Sequence, residues 1–218
     1  MNLPMKIVII SDTHTLHREY AKKYELPPAD VIIHCGDVSG RGEEYYINDF
    51  LEWFNSLYQY DHKIFIAGNH DWLFDSYPNI AKELVAKYEN VTYLEDSGVN
   101  IYGINFWGTP VTPPFFNWAF NRTENKLKDY WELIPTNTDV LITHGPPYTV
   151  LDKDRIGQSV GSPSLFYNVI DRIKPKIHCF GHMHNNYGVT SINDTKFINA
   201  SVLNDRYVIA RGPQIIEI

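Results

Sequence analysis

The chain reads as an α/β fold, a four-layer α-β-β-α sandwich of two mixed sheets flanked by helices. Three observations predict it. Short, continuously apolar runs rich in β-branched residues recur along the chain, as strands buried on both faces require. Segments with helical spacing alternate with them, the pattern of layered α/β architectures. Towards the C-terminus the helices give way to short strands separated by Asn and Asp turns. The 218 residues are enough to bury a sizeable core. With no internal repeat, low-complexity tract or long linker, they predict one domain spanning 1–218.

Taken in order, strands are predicted over 6–10, 31–33, 63–67, 140–143 and 176–180. The first carries Ile7, Val8, Ile9 and Ile10 without a polar break. A helix is predicted over 43–57, where Ile47, Phe50, Leu51 and Phe54 share one face. Two more, over 78–88 and 163–173, begin at Pro78 and Pro163, in the helical turn that tolerates proline. The stretches 187–191, 195–199 and 207–210 read as strands of an antiparallel meander, with a tight turn at Asn193-Asp194. A final strand, taken as part of the same meander, is predicted over 214–218.

Composition excludes several classes. A hydrophobic share of 44% with 21% charged residues is too apolar for disorder. Nineteen Lys and Arg against 26 Asp and Glu leave a net charge of −7, which disfavours a long nucleic acid as partner. The two cysteines, Cys35 and Cys179, make no disulfide scaffold and read as buried thiols. The first five residues do not look like a leader sequence, and no apolar stretch reaches the ~20 residues of a membrane span. A cytoplasmic protein is expected, with no membrane partner. Nothing in the sequence points to a protein partner.

The polar residues with chemistry follow the predicted strands. Asp12 and His14 come after the first, Asp37 after the second, and Asn69, His70 and Asp71 after the third. His144 follows the fourth, and His182 and His184 the fifth. Ligands of α/β sheets bind beyond the carboxyl ends of strands, so five such loops build one site. Carboxylate and imidazole together suit divalent Mn, Fe or Zn better than Ca. The seven residues Asp12, His14, Asp37, Asn69, His144, His182 and His184 exceed one tetrahedral shell and match two ions sharing a carboxylate.

The order Asp-x-His, Gly-Asp, Gly-Asn-His-Asp, His, Gly-His-x-His resembles that of the calcineurin-like metallophosphoesterases, over residues 7–201. Gly108-Thr-Pro110, Trp118-Ala-Phe-Asn121, Thr143-His-Gly-Pro-Pro147 and Asn199-Ala-Ser201 are similar to the metallophosphoesterase-domain branch (MPPED, or 239FB), which contains small phosphodiesterases. The resemblance implies the calcineurin-like phosphoesterase fold and two divalent metal ions, with manganese expected and iron, zinc or nickel as alternatives. It places Asp12, His14 and His184 on the first ion, Asn69, His144 and His182 on the second, and Asp37 between them. Some members of the branch lack the first histidine of Gly-His-x-His; this chain keeps it as His182.

The implied reaction is hydrolysis of small phosphodiesters such as cyclic nucleotides, by a hydroxide held between two metal ions. His70 would be proton donor or transition-state stabiliser, and Asp71 would orient or charge-stabilise it. Two bound divalent ions would outweigh Asp12 and Asp37 and make that edge attractive to a small phosphate despite the acidic total. The alternatives are a phosphomonoesterase on nucleotides or phosphoproteins and a non-catalytic scaffold on the same fold.

Other residues admit two readings. The aromatic stretch 115–121 is either a core-capping loop or a pocket wall, where Trp118 stacks on a base and Asn121 bonds a phosphate or ribose. Arg41 either contacts a phosphate or is a solvated loop residue, and the second is preferred. His34 and His178 read as core histidines, His17 and His62 as exposed. Asn199 and Ser201 are expected to secure the strand beneath the site.

Overall fold

The computed structural model describes residues 4–218; residues 1–3, part of the stretch considered above for a leader, lie outside the described residues. Two sheets lie back to back. The first has the order β11-β1-β2-β3-β4, formed by β1 (Lys6–Ile10), β2 (Ala29–His34), β3 (Tyr60–Phe65), β4 (Val91–Tyr93) and β11 (Gln214–Glu217). The second has the order β5-β6-β7-β8-β10-β9, formed by β5 (Ser97–Ile101), β6 (Ile104–Thr109), β7 (Val140–Thr143), β8 (Ile177–Phe180), β9 (Gly188–Ile192) and β10 (Thr195–Asn199). Strands β1 to β4 are parallel with β11 antiparallel, and β6, β7, β8 and β10 are parallel with β5 and β9 antiparallel, so both sheets are mixed.

The continuous apolar strands are explained by burial on both faces. Ile7, Ile9, Val31 and Ile33 point between the sheets, where they meet Val140, Ile142, Ile177 and Ile198. Their neighbours Val8, Ile10 and Ile32 point outward onto α1 (His17–Lys23) and α2 (Glu44–Asn55), packing with Ile47, Phe50, Leu51 and Phe54. The helices α3 (Trp72–Ser76) and α4 (Pro78–Val85) extend this layer through Phe74 and Leu84. On the far side, Leu141, Phe180 and Phe197 of the second sheet are covered by Leu127 and Trp131 of α5 (Glu124–Leu133) and Leu165 of α6 (Pro163–Tyr167). A π-helical turn, Asn168–Ile173, continues α6, so the helix predicted over 163–173 is one rod of two geometries.

Two readings of the C-terminal region are corrected. The final strand does not join a meander: β11 crosses to the other sheet and pairs antiparallel with β1, Ile7 opposite Ile216. The stretch 207–210 is no strand and has only an isolated bridge between Leu203 and Ile209. Asn204 captures the N–H groups of Arg206 and Val208 with its side chain, and that local turn displaces the ladder. His17, expected at the surface, is fully buried against Phe50 and Trp53, with Nε2 2.9 Å from Asp49. Among the described residues, no helix is long and apolar enough to cross a membrane.

Candidate metal centre

Because β1, β2 and β3 are parallel, the loops after them emerge at one edge; the loops after β7 and β8 emerge together in the second sheet. The two edges meet. Ser11 bridges Ser201, and Gly181 lies so close to Ser11 and Asp12 that a Cβ there would overlap both side chains. Gly68 is confined in the same way against Asp37. All seven predicted ligands converge at this junction. Four of them, Asp12 (φ 58°), His14 (φ 41°), Asp37 (φ 55°) and His182 (φ 64°), have left-handed backbones. Such strain, of order 1–3 kcal/mol each, persists where surrounding structure enforces it, typically at functional sites.

Two clusters form, linked by a third group. Asp12, His14 and His184 bring their ligand atoms within 4.8 Å of one another, and so do Asp37, His144 and His182; His14, Asp37 and His70 meet the same limit between them. Asp37 also reaches the first cluster, 3.6 Å from His14 Nε2 and 3.3 Å from His144 Nε2. The Asn69 amide oxygen sits 2.9 Å from His144 Nε2 and 2.8 Å from His182 Nδ1. Backbone carbonyls fix the imidazoles from behind. His14 Nδ1–H donates to Ser39 (3.2 Å), His144 Nδ1–H to Cys35 (2.9 Å) and His184 Nδ1–H to Asn204 (3.0 Å). Since a carbonyl only accepts, each ring turns its Nε2 inward, and the neutral ring offers there the lone pair that metal ligation needs. His14 Nε2 and His184 Nε2 lie only 3.3 Å apart, both within reach of one shared cation. The donor set therefore fits divalent cations.

The electrostatics agree. Burial opposes charge on Asp12 and Asp37, yet His184 beside the first and His144 beside the second hold both carboxylates well below their usual range. Burial alone would lower His144, but the adjoining Asp37 carboxylate pushes it up to about 9. His14 is pushed down to about 4 by burial, and His182 likewise by burial and the charge of His144. The pocket thus demands positive charge, which a proton supplies when no cation does. Cation binding must displace the His144 proton, so apparent affinity should rise with pH up to about 9, roughly tenfold per unit for each proton displaced. Calorimetric Mn²⁺ titrations at several pH values, in buffers of different ionisation enthalpy, read both the slope and the proton release. A flat affinity between pH 6.5 and 8.5 would contradict the assignment.

Several expected roles change. Asp71 does not touch the His70 ring. Its buried carboxylate accepts the N–H groups of Val38 (3.1 Å), Ser39 (2.9 Å) and Gly68 (2.8 Å) and the Ser39 hydroxyl (2.7 Å), tying the loop after β2 to the loop after β3. Burial and the neighbouring Asp37 push Asp71 up to about 6. His70 is oriented otherwise: Nδ1–H donates to the Gly40 carbonyl (2.7 Å), and Trp118 stacks on the ring at 4.1 Å and 24°. One face of the Trp118 indole is therefore taken by a protein ring. Asn121 commits its amide donors to the aromatic loop, to the carbonyls of Phe115 (3.0 Å) and Phe116 (3.1 Å), which leaves none for a phosphate. Arg41 is exposed and lies beside Trp72, Asn117 and Trp118 in a separate surface depression, outside the cavity over the clusters.

Supporting residues behave as expected. The Ser201 hydroxyl donates to Asp12 (2.7 Å), and Asn199 holds the carbonyl of Met183 (2.9 Å). His34 and His178 are fully buried, each with Nε2 against a threonine hydroxyl, Thr13 at 3.0 Å and Thr143 at 2.9 Å. The cavity over the clusters is about 630 Å³. Phe115, Phe116, Ile156 and Val160 contribute apolar surface to it, and Lys153 and Arg155 are cations on its rim.

A model of the calcineurin-like phosphoesterase family matches residues 5–186. The chain is 36% identical over 235 residues to Metallophosphoesterase domain-containing protein 1 of Homo sapiens, covering 98% of this chain and 71% of that protein. It is 34% identical over 241 residues to a UPF0046 protein of Caenorhabditis elegans, covering 98% of this chain and 60% of that one. Among solved structures, the protein TT1561 of Thermus thermophilus shares the fold at a TM-score of 0.65 and 14% identity, over 90% of this chain and 89% of that one.

Proposed function

The chain belongs to the calcineurin-like phosphoesterase family, whose members are metal-dependent hydrolases, and we propose that it acts as a phosphodiesterase on small esters such as cyclic nucleotides. The observation that carries the reading is the pair of His/Asp clusters joined through Asp37 at the floor of one cavity. Asp12, His14 and His184 would hold one divalent ion, and Asn69, His144 and His182 a second, with Asp37 shared. Manganese suits this oxygen and imidazole set. When bound, such ions polarise a phosphoryl oxygen and acidify water.

The chain's own residues supply position and a proton path. The bond from His70 Nδ1–H to Gly40 leaves Nε2 as the ring's free nitrogen, at the wall of the cavity. There Nε2 would take a proton from solvent and pass it to the departing alkoxide, returning to the neutral Nδ1–H ring. The rim favours a diester over a monoester. Arg155 pairs with Asp205, which reduces the positive charge the rim offers to a phosphate. A singly charged diester loses less at such a rim than a monoester dianion. Two buried free thiols suit a reducing compartment, and we place the enzyme in the cytoplasm on that ground.

The test is a panel of esters with Mn²⁺-reconstituted protein. The kcat/KM for 2′,3′- or 3′,5′-cyclic nucleotides should exceed that for nucleoside monophosphates by about tenfold or more, a difference of about 1.4 kcal/mol in transition-state stabilisation. The reverse order would make the protein a monoesterase. No turnover of any ester by metal-loaded protein would leave the scaffold reading.

A further inference from the structure

Tyr207 lies outside every motif named above, in the stretch where a strand was expected. The residue is 50% exposed, yet its ring stands edge-on to two candidate ligands, 4.9 Å from His14 and 5.1 Å from His184 between ring centroids. Its backbone is left-handed, φ 56°, which disfavours a bulky side chain and needs enforcement. Asn204 enforces it. The Asn204 side-chain oxygen accepts the N–H groups of Arg206 (2.9 Å) and Val208 (3.1 Å), and its carbonyl accepts the N–H of Tyr207 (2.9 Å). The same carbonyl accepts the His184 Nδ1–H (3.0 Å), so one turn residue aims a ligand and places an aromatic ring above it.

The loop is also held from the opposite rim. Arg155 donates to the Asp205 carbonyl at 3.1 Å and stands 3.7 Å from its carboxylate. Around this link, Ile156 (78% exposed) and Phe116 (82% exposed, its ring edge-on to Phe115) add exposed apolar surface to the same cavity. Large apolar side chains converging on a polar centre form the wall of a site for an organic group. An aromatic wall favours a planar aromatic partner beyond what apolar area alone supplies.

We propose that Tyr207 is a substrate-contacting residue that covers the Asp12–His14–His184 half of the centre and packs against an aromatic group carried by the phosphorus. The site then selects aryl or heteroaryl phosphate esters over alkyl ones. This rests on the phosphoesterase reading of the same site and adds to it the class of organic group and the residue that recognises it.

The experiment separates binding from turnover. Calorimetry on Mn²⁺-loaded protein compares phenylphosphonate with methylphosphonate, two inert probes with one phosphorus group and different organic parts. The wild-type protein should bind phenylphosphonate about tenfold tighter. Tyr207→Ala should take up Mn²⁺ normally and reduce that preference to about twofold or less, while Tyr207→Phe retains it. An unchanged preference in Tyr207→Ala overturns the proposal. So does its loss in Tyr207→Phe, which would assign the effect to the hydroxyl, and so does a wild-type protein that binds neither probe. Turnover of bis(4-nitrophenyl) phosphate by the same samples stands apart. Turnover without aromatic preference sinks the Tyr207 proposal alone, and aromatic preference without turnover sinks the hydrolytic reading alone.

Discussion

Asp37→Ala abolishes metal uptake at both clusters and lowers ester hydrolysis by about 10³-fold or more, while the far-UV circular dichroism of the chain is unchanged. The effect is large because Asp37 belongs to both halves of the centre. Its carboxylate lies 3.6 Å from His14 Nε2 on one side and 3.3 Å from His144 Nε2 on the other, and it accepts the His70 backbone N–H at 2.8 Å. Removing it takes away the charge that holds His144 up to about 9 and the anchor of the loop carrying Asn69 and His70. The fold survives because Asp37 lies beyond β2, outside the apolar layers. Asp37→Asn separates charge from shape: it keeps the contact to His70 and should still lose the metal. The measurements are metal content after gel filtration and turnover of a chromogenic diester. Wild-type metal content with wild-type turnover would remove Asp37 from the centre.

Asp71→Ala lowers stability by about 4 kcal/mol, a fall in Tm of roughly 10 °C for a chain of this size. The family resemblance implies that Asp71 serves His70, and its hydrogen bonds give it a structural role as well. One buried carboxylate satisfies three backbone N–H groups and a hydroxyl from two loops. Alanine leaves those donors buried without acceptors, the asymmetric penalty that makes lost hydrogen bonds expensive. Asp71→Asn recovers only part of the loss, since both carboxylate oxygens accept and an amide nitrogen would face an N–H donor. Metal affinity should fall with stability in Asp71→Ala, because the two loops it joins present Asp37 and Asn69. Thermal unfolding of the metal-free protein checks the magnitude, and a variant melting within 2 °C of wild type would contradict the network.

The strands are legible because their signal is local. Five apolar runs with polar groups just after them predict the buried sheets and the edge where the site lies, and β1, β2, β3, β7 and β8 stand where those runs do. The helix predicted over 43–57 is α2, Glu44–Asn55, with the expected face buried. The short β4, the β5–β6 hairpin and α5 carry weaker signals and do not emerge from the pattern. β5 is half exposed and contains Gly98 and Asn100, so it carries no continuous apolar run, and α5 buries only Leu127 and Trp131.

Which residue types gather at the centre was determined by the sequence alone. Strand-end placement follows from period and run length, and the motif order names the candidate donors. What each neighbour does was decided only by the tertiary structure. Gly40 and Trp118 orient His70, Asp71 ties two loops, Asn121 braces its own segment, and Tyr207 stands over His14 and His184. Each of these contacts except that of Asn121 joins groups brought together by the docking of separate loops. A period of two or 3.6 residues records which face is buried, and says nothing of which loop lies across from it. The backbone strain at Asp12, His14, Asp37 and His182 was hidden for the same reason, because a left-handed aspartate or histidine is tolerated only once the converging loops hold it there.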